Sequence, residues 1–220
     1  MNIFYKQIVS ACFIEKSQKT RTLSKLQPVY YTRMQEKLRT HIEKVISLTD
    51  EEFALIHGLF TTKKFKKKSF LIQEGGSVTQ AYFVLSGLLK LTYLDNSGKQ
   101  HIVSFAMEDW WESDFPAYFN QTKATMSLQC LEDTEVYCLS LENYKKLCTD
   151  FKKMEHFLLV KSNLGFIAAQ QRILSLLTTN AQERYEQLLQ LYPALFQRVS
   201  KTQLAAYLGV SRETLSRFSS

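Results

Sequence analysis

The 220-residue sequence predicts an α+β chain: an antiparallel sandwich or jelly roll flanked by helices, then a long helix, then a helix-turn-helix. Three observations predict it. Between Lys63 and Leu141, short runs of β-branched and aromatic residues are separated by Gly-containing turns. From about Glu142 the apolar residues recur at alternating spacings of three and four, the period of a helix. Residues 200–217 hold two short helical patterns around Gly209.

The first 33 residues stand apart. They carry Lys6, Lys16, Lys19, Arg21, Lys25 and Arg33 against Glu15, five of the chain's seven net positive charges. Residues 15–27 are polar and basic and read as a mobile arm outside the domains. The apolar run 8–14 is followed at once by Glu15-Lys16 and lacks a small-x-small cleavage site, so it is not read as a signal peptide. No apolar run approaches the ~20 residues that span a bilayer. From Met34 a helical pattern passes through Leu38, Ile42, Val45 and Ile46. Thr49 and Glu52 form a capping box before Phe53, Leu55, Ile56, Leu59 and Phe60.

Strands are expected at 69–72, 82–85, 88–94, 102–105, 126–131 and 136–141, with turns at Gly75, Gly87 and Gly98. The lysine run 63–68 reads as a solvated strand edge, where charge discourages edge-to-edge pairing; a basic patch is the alternative. In the long helix, Phe157, Val160, Leu164, Ile167, Gln171, Leu174 and Thr178 are spaced like a coiled-coil seam. A core helix within one chain fits the same spacing. Ile173, Leu176 and Leu177 lie off the seam, free to pack on the C-terminal domain. A further helix starts near Asn180 and ends at Tyr192-Pro193.

In the C-terminal pair, Ser200 and Gln203 make a capping box, and Gly209 suits a left-handed turn. Ser211 caps the second helix, with Glu213 near its positive end. Leu204, Leu208, Val210, Leu215 and Phe218 supply apolar contacts, and Ala205 is small where the helices approach. Arg212, Glu213, Ser216 and Arg217 are left on one outward face, suited to base edges in a major groove. An ordinary helical hairpin with a charged face has the same pattern. Three residues follow Arg217, so a second helix of at most nine residues with a fraying last turn, and no β wing, is expected.

Ser211-Arg-Glu-Thr-Leu-Ser-Arg217 resembles the recognition helix S-R-E-T-[VL]-[GS]-R of the Crp/Fnr family of bacterial transcription regulators. Gly75…Tyr82-x-Val84-x-x-Gly87, followed by a hairpin at Asn96-Ser-Gly98, resembles the cyclic nucleotide-binding β-roll of Crp. The resemblance covers about residues 34–218. It implies an N-terminal antiparallel β-roll (jelly roll) with flanking helices at 34–148, a dimerisation helix at 149–179 and a helix-turn-helix domain at 180–220, behind the 1–33 extension. It implies a cytoplasmic homodimer that binds double-stranded DNA, admits RNA polymerase as a further partner and involves no membrane. Ser200, Lys201, Thr202, Ser211, Arg212, Glu213, Ser216 and Arg217 would contact the DNA. Arg212 and Arg217 would donate to guanine or phosphate, Glu213 would accept from a cytosine amino group, and the hydroxyls and Lys201 would meet phosphates.

Nucleotide-binding relatives carry G-E-[LIV] and, about ten residues later, R-[ST]-A. Here the stretch reads Asp109-Trp-Trp-Glu-Ser-Asp114-Phe-Pro. The Gly is missing, and Asp114 or Ser113 stands for the Glu. Lys123, before Ala124 and Thr125, stands for the Arg and cannot make its bidentate fork. Trp110 and Trp111 would crowd the cavity. An effector would therefore meet Trp110, Trp111, Ser113, Asp114, Lys123 and Ala124. It would be an unidentified small molecule rather than cyclic AMP, unless the chain's own side chains fill the pocket.

Cys12, Cys130, Cys138 and Cys148 form no C-x-x-C pair and match neither a zinc site nor the iron–sulfur cluster of Fnr-type members. His41, His57, His101 and His156 are scattered. No metal, cofactor or catalytic residue is expected, and the chain is not read as an enzyme. Two rivals remain: a small-molecule sensor or scaffold that has lost DNA binding, and a cupin-type β-roll enzyme. The latter would need clustered His and Glu ligands, and His101 stands alone in the β region.

Overall fold

The structure, a computed structural model, describes residues 26–218, with side chains from Met34 onward. Two four-stranded antiparallel sheets face each other. One runs in the order β1 (Thr61–Phe65), β8 (Thr134–Ser140), β3 (Gln80–Ser86), β6 (Trp111–Glu112). The other runs β2 (Phe70–Ile72), β7 (Ser127–Cys130), β4 (Leu89–Leu94), β5 (Gln100–Ala106). Strand alternation assigns the faces. Tyr82 and Val84 of β3, with Val136 and Cys138 of β8, join Leu89, Leu91 and Leu128 in one core. Phe83, Leu85, Tyr137 and Leu139 join a second core built with the helices. Both faces of β3 and β8 are thus covered, which is why they read as continuous apolar runs rather than alternating ones.

Lys63 and Lys64 lie on β1, the exposed edge strand, as the lysine run suggested. The expected turn glycines Gly75, Gly87 and Gly98 all have positive φ, at 77°, 102° and 80°. They differ in surroundings. A Cβ on Gly87 would lie 2.7 Å from both the Asp133 carbonyl oxygen and the Thr134 Cα, whereas one on Gly98 would meet nothing within 4 Å.

Helices α1 (Leu26–Glu43) and α2 (Asp50–His57) pack over the β1–β8–β3–β6 sheet with α4 (Leu141–Asp150) and the start of α5 (Lys152–Thr178). Thr49 and Glu52 form the expected capping box. The expected extension is corrected in one respect: α1 begins at Leu26, so residues 26–33 are helical. Pro28 falls in the first turn, where a backbone N–H has no intrahelical partner and its loss costs nothing. The apolar run 8–14 and Cys12 lie outside the described residues.

The long helix also departs from expectation. Phe157, the first expected seam residue, is fully buried in its own chain's core with Met154 and Leu158. Ile173, Leu176 and Leu177, expected against the C-terminal domain, are instead exposed. Ser175 and Arg172 of α5 do reach that domain, Ser175 by donating to the Gln187 side chain at 3.3 Å and Arg172 more closely. Its guanidinium lies 3.7 Å from the centre of the Tyr207 ring and donates to the carbonyls of Ile102 and Tyr207.

The C-terminal helices are α6 (Ala181–Leu191), α7 (Pro193–Arg198), α8 (Lys201–Leu208) and α9 (Arg212–Phe218). They share a core with the β-roll: Leu88, Ile102 and Phe105 pack with Leu188, Leu195, Val199, Leu204, Leu208 and Leu215. Between the expected β5 and β7, β6 and the short helix α3 (Phe115–Asn120) complete the roll.

Replacing Gly87 with Ala should lower stability by about 2 kcal/mol or more, since positive φ and backbone overlap act together. Gly98→Ala, with the strain alone, should cost about 1 kcal/mol. Urea unfolding midpoints of the two variants give the comparison.

Candidate nucleic-acid interface and effector pocket

The C-terminal helix pair is built by local hydrogen bonds. The Ser200 hydroxyl accepts from Gln203 N–H at 3.3 Å, and the Gln203 side chain accepts from Ser200 N–H at 3.3 Å. Gly209 ends α8 at φ 72°, its N–H donating to the Ala205 carbonyl. The Ser211 hydroxyl accepts from Thr214 N–H at 3.1 Å and so caps α9. Leu204, Ala205, Leu208 and Leu215 are buried between the helices and their neighbours, with Val210 and Phe218 packed beside them. This leaves Ser200, Lys201 and Thr202 exposed at the start of α8, and Ser211, Arg212, Glu213, Ser216 and Arg217 exposed along α9. The eight positions expected at a DNA contact are therefore all exposed on this helix pair. Glu213 is held below the ordinary carboxylate pKa by backbone N–H donation at its helix start, then by the Ser211 hydroxyl.

The six positions expected around an effector have different surroundings. Trp110 and Trp111 are consecutive on a strand edge and point to opposite sides. Trp111 packs on Phe83 and Phe60, with ring centroids 5.3 and 6.1 Å away, and its indole N–H donates to His41 Nε2 at 3.3 Å. Trp110 instead stands edge-on to Tyr192 of the C-terminal domain, 5.3 Å away. Lys123 is exposed and reaches the Ser77 hydroxyl at 3.4 Å. Ser113 donates to the Gln80 carbonyl, and Ala124 is buried in the roll.

Asp114 takes the central place. It has no exposed surface and caps α3 by accepting from Ala117 N–H at 3.2 Å. Its other oxygen accepts from Thr125 N–H at 2.8 Å, the Thr125 hydroxyl at 3.2 Å and Met126 N–H at 3.0 Å. A helix start and the amides of a facing loop are the groups that could hold an anion. Here the chain's own carboxylate occupies them.

Sequence reasoning missed two further groups. Glu112 is buried next to the Trp pair, 2.5 Å from the Ser104 hydroxyl and 3.1 Å from Ser113 N–H. Burial pushes its pKa up to about 7, against the opposing pull of those two donors. Arg198 was also overlooked; it donates to Glu108 at 2.8 and 3.0 Å and to Glu132 at 3.0 and 2.7 Å. Only its position, a cation between Phe196 and Val199 of an apolar helix, hints at a buried partner. Among the described residues no group of three or more His, Cys, Asp or Glu could hold a metal ion, and no helix is long and apolar enough to cross a membrane.

Residues 62–151, which hold most of the β-roll, match the cyclic nucleotide-binding domain family. Over 99 residues the chain is 21% identical to the "Anaerobic regulatory protein" of Bacillus subtilis (strain 168), a match spanning 45% of this chain and 42% of that protein. The fold is similar to FixK2 from Bradyrhizobium japonicum, with TM-score 0.62 and 20% identity over 72% of this chain and 82% of the other. It is also similar to a Eubacterium rectale protein assigned to the Crp/Fnr family of transcriptional regulators, with TM-score 0.58 and 16% identity over 78% and 82%. The likeness is one of fold.

Glu112 yields a pH prediction. Its pKa in the fold is raised above the unfolded value, so the fold binds the extra proton. Its contribution is present at low pH and is lost as pH rises from the ordinary carboxylate range through about 7. His41 acts in the opposite sense: burial lowers its pKa to about 3, so its contribution is lost as pH falls below its ordinary value. The difference between wild type and Glu112→Gln isolates the first group. Urea midpoints between about pH 5 and about pH 8 should fall with pH more steeply in the wild type than in the variant.

Proposed function

We propose, from a chain that carries a cyclic nucleotide-binding domain in the fold of the Crp/Fnr regulators, that this protein is a homodimeric, sequence-specific DNA-binding transcription regulator whose β-roll does not take cyclic AMP. The observation that carries the reading is the exposed face of Arg212, Glu213, Ser216 and Arg217 on a helix pair seated firmly against the roll. The side chains of such a helix can enter a major groove. Arg pairs with guanine O6 and N7 through two parallel hydrogen bonds, and Glu accepts from a cytosine amino group. Ser200, Lys201, Thr202 and Ser211 would fix the docking through phosphates, which carry no sequence information.

Dimerisation is supported by the surface of α5. Leu159, Phe166 and Ile173 recur every seven residues and, with Leu177 four further on, are 55–76% exposed. Ile167 and Leu174 lie beside them, also exposed. A stripe of this length with such residues in water is unstable alone and fits a second copy of the same helix. The seam is centred one position along from the expected one because Phe157 turns into its own core. The filled Asp114 cradle is what argues against cyclic AMP.

Three outcomes test the reading. Phe166→Asp with Ile173→Asp should convert a dimer to monomers in sedimentation at micromolar concentration; a monomeric wild type would refute the seam. Calorimetry with cyclic AMP should show no low-micromolar binding. Selection from a randomised duplex library should return a two-fold motif. Arg217→Ala should cost about 1–3 kcal/mol and relax preference at one base pair. Lys201→Ala should weaken all sequences alike and reduce the salt slope by about one. No selected motif from the wild type would instead favour a sensor without DNA binding.

A further inference from the structure

A cleft of about 310 Å³ opens between α1 and the turn that joins β5 to β6, and Asp114 is not among its lining residues. Glu36, Lys37 and His41 of α1 and Lys44 just past its end line one side; Glu108 and Asp109 line the other. His41 is the unusual member. It is 5% exposed, wedged between the Phe83 and Phe157 rings at 4.6 and 5.7 Å. An indole N–H can only donate, so the bond from Trp111 fixes His41 Nε2 as an unprotonated acceptor. Burial and the nearby Lys161 and Lys44 keep the ring neutral. The remaining ring proton must then sit on Nδ1. That N–H is buried and has no hydrogen-bond partner among the described residues. Native folds rarely leave such a donor unmet, and an unmet one calls for an acceptor at the site.

The other groups define the acceptor. Lys37 uses one of its three donors on the Leu85 carbonyl at 2.7 Å. The Lys44 ammonium is 4.0 Å from the Asp109 carboxylate, a loose pair with donors to spare. Glu108 is not a rival for a cation, since its carboxylate already accepts from Gly87 N–H and from Arg198. A neutral N–H donor in the wall of a cleft that also holds two ammonium groups suits an oxyanion better than a metal ion.

We propose that this cleft is a binding site for a small oxyanion, the carboxylate or phosphate group of a small ligand, held by His41 Nδ1–H, Lys37 and Lys44. It is separate from the nucleotide cradle that Asp114 fills, and it does not depend on DNA binding. It does touch Glu108, the residue that holds Arg198 of the C-terminal domain, so an occupant would sit one side chain from that contact.

Trp110→Phe leaves Trp111, bonded to His41, as the sole tryptophan, and its fluorescence reports on the cleft. Inorganic phosphate and acetate are titrated separately into this variant, and the His41 Nδ1–H resonance is followed in parallel in a ¹⁵N-histidine-labelled sample. At least one anion should give a saturable change in both signals, and which one does so distinguishes phosphate from carboxylate. Lys37→Ala with Lys44→Ala should weaken it by about tenfold or more, and Lys44→Ala alone by less. Lys68→Ala, in the turn between β1 and β2, should leave it unchanged. No saturable change with either anion up to about 10 mM, or equal binding by the double variant with an unaltered unfolding midpoint, overturns the proposal.

Discussion

The guanidinium of Arg198, at the end of α7, reaches two carboxylates of the β-roll at once: Glu108 before β6 and Glu132 before β8. Apolar contact between Leu88, Ile102, Phe105 and the C-terminal helices supplies most of the attraction, but such contact has little directional preference. A planar fork gripping two carboxylates does have one. It selects a single orientation of the helix pair on the sheet, and with it the direction in which α9 faces. Glu108 is itself positioned by Gly87 N–H, in the turn that only a residue at ease with φ 102° can make. Burial works to raise the Glu108 pKa, yet Arg198 and the backbone donors leave it below its ordinary value. The contact therefore stays ionic at neutral pH.

The second constraint is the demand that buried polar groups be met. In the nucleotide-like cradle Asp114 meets four donors from three residues. A phosphate would have to displace that carboxylate and leave it buried without partners, a cost of several kcal/mol. In the proposed reading the roll is kept while its own Asp114 carboxylate takes the place of a ligand. At His41 the balance is reversed, with a donor left over beside a cleft.

Much of the fold was legible because it rests on local signals. The capping boxes at Thr49 and Ser200, the left-handed Gly209 and the turn glycines each act within a few residues, and each stands as read. The exposed face of Arg212, Glu213, Ser216 and Arg217 on α9 followed from helix periodicity alone. What escaped depends on partners far along the chain. Whether Phe157 faces its own core or a second copy is decided by Met34, Leu38 and the Phe83 strand, more than 70 residues away. Trp110 and Trp111 looked like two walls of one pocket, but their alternation across a strand edge sends one to His41 and the other to Tyr192. The Arg198 contact joins residues 66 and 90 positions apart, and no spacing rule marks such a pair.

In the proposed dimer, two copies of α9 are held at a fixed separation by the α5 seam and the Arg198 contact. That separation can be measured by pulsed electron–electron resonance on Ser216→Cys, spin-labelled after Cys12 and Cys148 are replaced by Ser. One distance maximum near a helical turn of DNA, about 34 Å with the spread of the label, is the predicted result. Absence of dipolar coupling at micromolar protein, or a broad distribution without a maximum near that distance, would contradict the account.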